Sequence, residues 1–170
     1  NYAGNSVQLA AALDWLEQDA AASKATWKVL AIHQPAYYTN VAGGNAEVHA
    51  LVPPAVERCG IDFVFSGHDH SYARTEPLRQ GEVNKDSGVV YYICGSSGEK
   101  SYSITDNEDF HFAKLSGDYT GVYLSVNTTK STMTVDTFEV DGSLLDSYTK
   151  TKVDPCAAGH KPMHCIDGPL

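Results

Sequence analysis

Apolar residues Leu9, Leu13, Leu16 and Ala20 recur at helical intervals, while Asp14, Glu17 and Asp19 fall off that stripe, so an amphipathic helix opens the chain. Asn5 and Gln8 stand at capping-box spacing before it. Trp27 to Ile32 reads as a buried strand that ends at His33-Gln34-Pro35, where proline removes the N–H that further pairing needs. A loop over 36–45 carries Tyr37, Tyr38 and Gly43-Gly44. A second helix from about Ala46 to Cys59 follows, interrupted by Pro53-Pro54 and closed by Gly60 as its C-cap. Ile61 to Phe65 is the second buried strand. Strand, helix and strand in this order predict a parallel crossover with the carboxyl ends of both strands on one edge of the sheet, where open α/β sheets place their ligands.

Gly88 to Cys94 predicts a third apolar strand, closed by Gly95-Ser96-Ser97-Gly98. That glycine turn lacks the lysine and helix of a nucleotide loop, so it reads as a turn lining a site. From Gly121 the pattern changes to alternation. Val122, Leu124 and Val126 share one face; Met133, Val135, Phe138 and Val140 suggest a neighbouring strand with an irregularity near Thr137; Asp141-Gly142 turns the chain into a last strand from Leu144 to Thr149. The fold class is therefore mixed α/β, a parallel βαβ unit followed by an antiparallel meander. With no repeat or linker, the chain divides into one domain over 1–152 and a cysteine-containing tail over 153–170.

The 170 residues carry a net charge of −9, which argues against a nucleic-acid or anionic-membrane surface, since neutralising phosphates takes clustered Lys and Arg. A small phosphorylated substrate stays open, because a bound metal supplies positive charge locally. No stretch approaches the length of a membrane span. Cys59 and Cys94 lie in or beside apolar segments and read as buried thiols. Cys156 and Cys165 bracket a Pro- and Gly-containing tail, which favours a disulfide-closed loop in an oxidising compartment; with His160 and His164 the same tail also reads as a zinc clip, although its spacing fits no common zinc finger. An extracellular, periplasmic or cell-surface setting is the expectation. Asn127-Thr128-Thr129 is a glycosylation sequon in form.

Chemistry concentrates in Ser66-Gly67-His68-Asp69-His70-Ser71-Tyr72-Ala73-Arg74-Thr75, which begins where the second strand ends. On an extended backbone His68 and His70 point the same way and present two imidazoles to one ion or two neighbouring ions. Asp69 then points away from them into a supporting role. Arg74 reads as a structural salt bridge or a backbone tie that holds the loop, His49 as a solvent-facing helical histidine, and His111 stays undecided.

The ordered set Leu30-Ala31-Ile32-His33-Gln34-Pro35-Ala36-Tyr37, then Gly60-Ile61-Asp62-Phe63-Val64-Phe65-Ser66-Gly67-His68-Asp69-His70-Ser71-Tyr72-Ala73-Arg74-Thr75, resembles the C-terminal half of calcineurin-like metallophosphoesterases, the purple acid phosphatase branch above all. Val90-Tyr91-Tyr92-Ile93-Cys94-Gly95 and Asp141-Gly142-Ser143-Leu144-Leu145-Asp146-Ser147 look like that branch too. The resemblance implies a four-layer α/β/β/α sandwich of which this chain forms the second half. It implies that His33 and His68 bind one metal and His70 another, the pair of ions being Fe, Zn or Mn, and that Tyr37 and Tyr38 line the substrate mouth. The implied reaction is phosphomonoester hydrolysis by a metal-activated hydroxide without a covalent enzyme intermediate.

The chain departs from that family in lacking its upstream Asp, Gly-Asp and Gly-Asn-His motifs. Gly4-Asn5-Ser6 echoes the last, with Ser6 in place of histidine. The expectation is a partial site, inactive alone, completed by a missing first half or covered by self-association. The alternative is a non-catalytic binding or interaction module that keeps the phosphoesterase fold.

Overall fold

The computed structural model describes residues 6–40, 42–96, 98, 100–117 and 121–153. Asn5, Gly4, the Cys156–Cys165 tail, His160 and His164 lie outside them. The first helix, α1 (Ser6–Ala22), buries Leu9, Leu16 and Ala20, so the expected stripe is the face that packs. Strand β1 (Val29–Ile32) is followed by α2 (Ala46–Cys59) and β2 (Phe63–Ser66), and β1 pairs β2 in parallel from Val29↔Phe63 to Ile32↔Ser66.

Helix α2 begins and ends where local chemistry dictates. The Asn45 side chain accepts hydrogen bonds from the Glu47 and Val48 amides, and Gly60 closes the helix at φ 64° in the left-handed region. The prolines do not interrupt it. A mid-helix proline costs about 3 kcal/mol, but Val48, Val52, Ala55 and Val56 on the same helix are completely buried, and that packing outweighs the lost bonds.

Beyond β2 come β3 (Tyr72–Thr75), a small hairpin of β4 (Leu78–Arg79) and β5 (Glu82–Val83), then β6 (Val90–Cys94), a short 3-10 turn over Glu108–Phe110 and β7 (Phe112–Ser116). The main sheet has the order β1-β2-β6-β3-β7, with β1, β2 and β6 parallel and β3 and β7 antiparallel to their neighbours. Tyr72–Thr75, read from sequence as loop, is a strand buried at every position. Conversely, β1 lies at the sheet edge with Val29 50% exposed, so it is only half buried.

The meander forms as expected from β8 (Val122–Thr128), β9 (Thr132–Glu139) and β10 (Leu144–Thr151). Gly142 at φ 88° makes the β9–β10 turn. The irregularity lies opposite Thr137, as expected, but the extra residue is on β10: pairing jumps from Leu144↔Phe138 to Asp146↔Thr137, so Leu145 is the insertion. Thr137 therefore stays inward and buried, and Phe138 faces out to stack on Tyr123.

Alternation along the main sheet builds two cores. Val64 and Tyr91 join Leu9, Leu16, Val48, Val52 and Val56 beneath the helices. Phe63, Val90 and Tyr92 on the other face join Val122, Met133 and Val135 of the small sheet. Helices, mixed sheet and antiparallel sheet are thus three stacked layers of a mixed α/β sandwich. At the end of the sandwich away from the histidines, Asp62 accepts from the Lys28 amide and from Lys152 Nζ and lies 3.4 Å from Lys150 Nζ, tying β10 to the entry of β2.

Candidate functional site

The parallel register carries Ile32 and Ser66 side by side, so His33 and Gly67 are the next residues out of the sheet. The Gly67 amide donates to the His33 carbonyl at 3.1 Å, extending the ladder one step. The Asp69 amide then donates back to the Gly67 carbonyl at 2.8 Å, and His68 between them has φ 65°. This is a tight turn of the γ type, strained by about 1–3 kcal/mol for a residue with a Cβ.

The turn decides where the imidazoles go. His68 Nδ1 lies 3.2 Å from His33 Nε2, with the two rings edge to face. His33 is exposed and His68 half-buried. Because His68 is not extended, the alternation expected for His68 and His70 does not apply. His70 lies against the Tyr102 ring, with centroids 4.8 Å apart, and its carbonyl accepts from the Tyr102 amide.

Asp69 points away from the pair, as expected, and is completely buried. Its Oδ2 accepts from the Thr39 amide at 2.7 Å, the Asn40 amide at 3.0 Å and the Thr39 hydroxyl at 3.2 Å. Its Oδ1 has no hydrogen-bond partner among the described residues. The Thr39 and Ser71 hydroxyls meet at 2.6 Å. These bonds join the loop after β1 to the loop after β2, a link that sequence spacing gave no signal for. On the far side Gly95 presses on the same turn: a Cβ there would overlap the Asp69 carbonyl oxygen. The Gly95 amide also donates to the Ser71 carbonyl, so the glycine turn supports the histidine loop.

Gly43 and Gly44 link the pair to the tyrosines. A Cβ on Gly43 would stand 3.6 Å from His68 Nε2, and one on Gly44 would collide with the Tyr38 ring. Tyr38, half-buried, thus borders the glycine turn that faces His68. Tyr37, expected beside it at the substrate mouth, is 3% exposed and sits in the core against Tyr91, Phe110 and His49. Burial, assisted by Glu57, pushes its hydroxyl up to about 12. Nor is His49 a solvent-facing histidine: its Nδ1 is 2.8 Å from the Ala36 carbonyl, and its ring packs on Tyr37 and Phe110. His111 closes the 3-10 turn at φ 50° and stands 4.0 Å from Glu82.

Two imidazole nitrogens facing each other at the mouth of a parallel strand pair fit one edge of a transition-metal site. Among the described residues no group of three or more His, Cys, Asp or Glu is gathered to hold an ion. The donor set fits an ion held in part by His33 and His68.

Residues 2–72 match the family model described as calcineurin-like phosphoesterase. The chain is 25% identical to purple acid phosphatase 4 of Arabidopsis thaliana over 143 residues, which is 81% of this chain and 38% of that protein. To purple acid phosphatases 21 and 18 of the same plant it is 30% identical over 91 residues, 51% of this chain and 21% of each. The solved structure of purple acid phosphatase PPD1 from yellow lupin (Lupinus luteus) seeds shares the fold, with a TM-score of 0.67 at 13% identity over 89% of this chain and 29% of that one. PhoD does so with a TM-score of 0.52 at 14% identity, over 82% and 31%. In sequence the chain is thus similar to calcineurin-like phosphoesterases and purple acid phosphatases, and in fold to the solved members of that superfamily. It spans 38% or less of the length of these curated relatives.

Proposed function

We propose that this chain supplies the histidine part of a dinuclear site that hydrolyses small phosphomonoesters, the remaining donors coming from further sequence such as its longer relatives possess. The single observation that carries the reading is the His33–His68 pair, 3.2 Å between facing ring nitrogens at the carboxyl ends of neighbouring parallel strands. His33 and His68 would hold one ion and His70 contribute to the other, with Fe, Zn or Mn as candidates. Two such ions supply the positive charge that holds a phosphate and acidifies the attacking water. Tyr38 borders the substrate approach, and Tyr37 holds the same loop from the core. His49, engaged with the Ala36 carbonyl, is a support rather than a proton donor.

The test compares two proteins. A longer protein that contains these residues together with Gly-Asp and Gly-Asn-His motifs should hydrolyse an aryl phosphate, lose turnover to a strong chelator and regain it with Zn, Mn or Fe. The 170-residue chain alone should bind at most one ion weakly, show no appreciable turnover, and associate with itself or a companion segment through the open β1 edge. Chelator-resistant turnover in the longer protein rejects the mechanism. A longer protein that neither binds metal nor turns over belongs instead to the binding-module reading.

A further inference from the structure

We propose that Asp69 is a positioning residue for the histidine pair, an inference that rests on reading His33 and His68 as metal donors. Three donors converge on its Oδ2: the Thr39 and Asn40 amides and the Thr39 hydroxyl. All three belong to the loop that leaves β1 beyond His33. The Asn40 carbonyl in turn accepts from the Gly43 amide at 3.0 Å, and Gly43 faces His68 Nε2 with room for a methyl group between them, since a Cβ there would stand 3.6 Å from that nitrogen. The hydrogen bonds and this approach close a ring, from Asp69 to Asn40, to Gly43, to His68 and back along the chain to Asp69. Closing that ring places the glycine turn over Nε2 of His68 and leaves Nδ1 to face His33.

Two further contacts hold Asp69 itself in place. The Thr39 and Ser71 hydroxyls bond across the same two loops, and Gly95 packs on the Asp69 carbonyl from the opposite side. No cation pairs with the carboxylate among the described residues. Its role is therefore assigned to the placement of an acceptor oxygen, which an amide carbonyl can reproduce, and not to its charge.

Conservative variants separate these roles. In the 170-residue chain, Asp69→Asn keeps an acceptor in place without charge, and Asp69→Glu keeps charge but moves both oxygens by one methylene. Zinc affinity is read by calorimetry, and hydrogen exchange of the Thr39 and Asn40 amides reads the clamp without metal. Asp69→Glu should weaken zinc by at least about tenfold and speed exchange at both amides, while Asp69→Asn stays within about threefold of the unmodified chain. The reverse order, with Asp69→Asn weak and Asp69→Glu unchanged, would show that charge matters and overturn the proposal. Equal affinity and equal exchange in all three proteins would overturn it as well. An unmodified chain that binds no zinc removes the metal reading alone, because the amide exchange of Asp69→Glu still reports whether the clamp exists.

Discussion

Asp146 on β10 accepts two hydrogen bonds from the Arg74 guanidinium on β3, at 2.7 Å from Nε and 3.1 Å from Nη2. The Tyr72 hydroxyl donates a third at 2.8 Å, and the guanidinium lies over the Tyr148 ring. The expected salt bridge of Arg74 is thus the polar bolt between the main sheet and the meander. The extra residue Leu145 re-aims Asp146 inward to meet it.

Burial works against the ionised Asp146, but hydrogen bonds from Arg74 and Tyr72 and the guanidinium charge outweigh it and hold its carboxyl below the usual value. A depressed carboxyl stabilises the fold above the unfolded-state pKa of about 3.9 and loses that contribution as pH falls through the folded value. Asp146→Asn should cost about 3 kcal/mol at neutral pH, because it leaves Arg74 buried without its charge partner. In urea titrations that deficit should shrink steadily below about pH 4. A deficit constant from pH 7 to pH 2.5 would refute the assignment.

Gly95→Ala should destabilise the chain by about 1–3 kcal/mol through overpacking. The new methyl collides with backbone, the Asp69 carbonyl, which cannot rotate away as a side chain would. Thermal unfolding gives the cost, and the imidazole resonances of His68 should shift with it. Gly60→Ala is the control: it strains φ but meets no atom within 4 Å, so those resonances should stay where they are.

Pro54→Ala should stabilise the protein. Pro54 is exposed, so little packing is lost, and alanine returns an N–H to the Ala50 carbonyl, whose possible partners three and four residues on are both proline. The interior proline penalty of about 3 kcal/mol is partly offset by the rigidity proline lends the unfolded chain, leaving a net gain of about 1–2 kcal/mol. Denaturant midpoints of the variant and the unmodified chain measure it, and a lower midpoint for the variant would contradict the account.

Cys94 should resist alkylation in the folded chain. Burial pushes its thiol up to about 11, and its Sγ lies 3.7 Å from the Val122 carbonyl under the meander. Cys59, also pushed up by burial and by Glu17, should lag as well. Peptide-resolved mass spectrometry after iodoacetamide at pH 8 should find both thiols modified at least about tenfold faster in denaturant, where the thiolate fraction is restored. Cys94 is half-buried against the second core, and its rapid modification in the native chain would contradict this account.

Features with local causes were legible in the sequence. The bounds of α2 follow from Asn45, which caps two amides with its own side chain, and from Gly60, which enters the left-handed region without a Cβ penalty. The meander is legible because one buried face imposes a period of two, and Asp141-Gly142 marks its turn. The strand-end placement of His33 and His68 follows from the same logic, since apolar runs stop where the sheet stops.

Tertiary structure decided what depends on partners far apart in the chain. Tyr72–Thr75 looks like a loop because it is buried on both faces and so shows no alternation, and because its arginine is neutralised by a residue 72 positions away. Periodicity inside β1 cannot say that the strand lies at the sheet edge; strand order says so. Most of the site is of this second kind. The left-handed turn at His68 survives because Asp69 is held by Thr39 and Asn40, some 30 residues earlier, and by Gly95 behind it. Sequence determined which imidazoles stand at the strand ends; only the packing of three loops decided that His33 and His68 face each other while His70 turns to Tyr102.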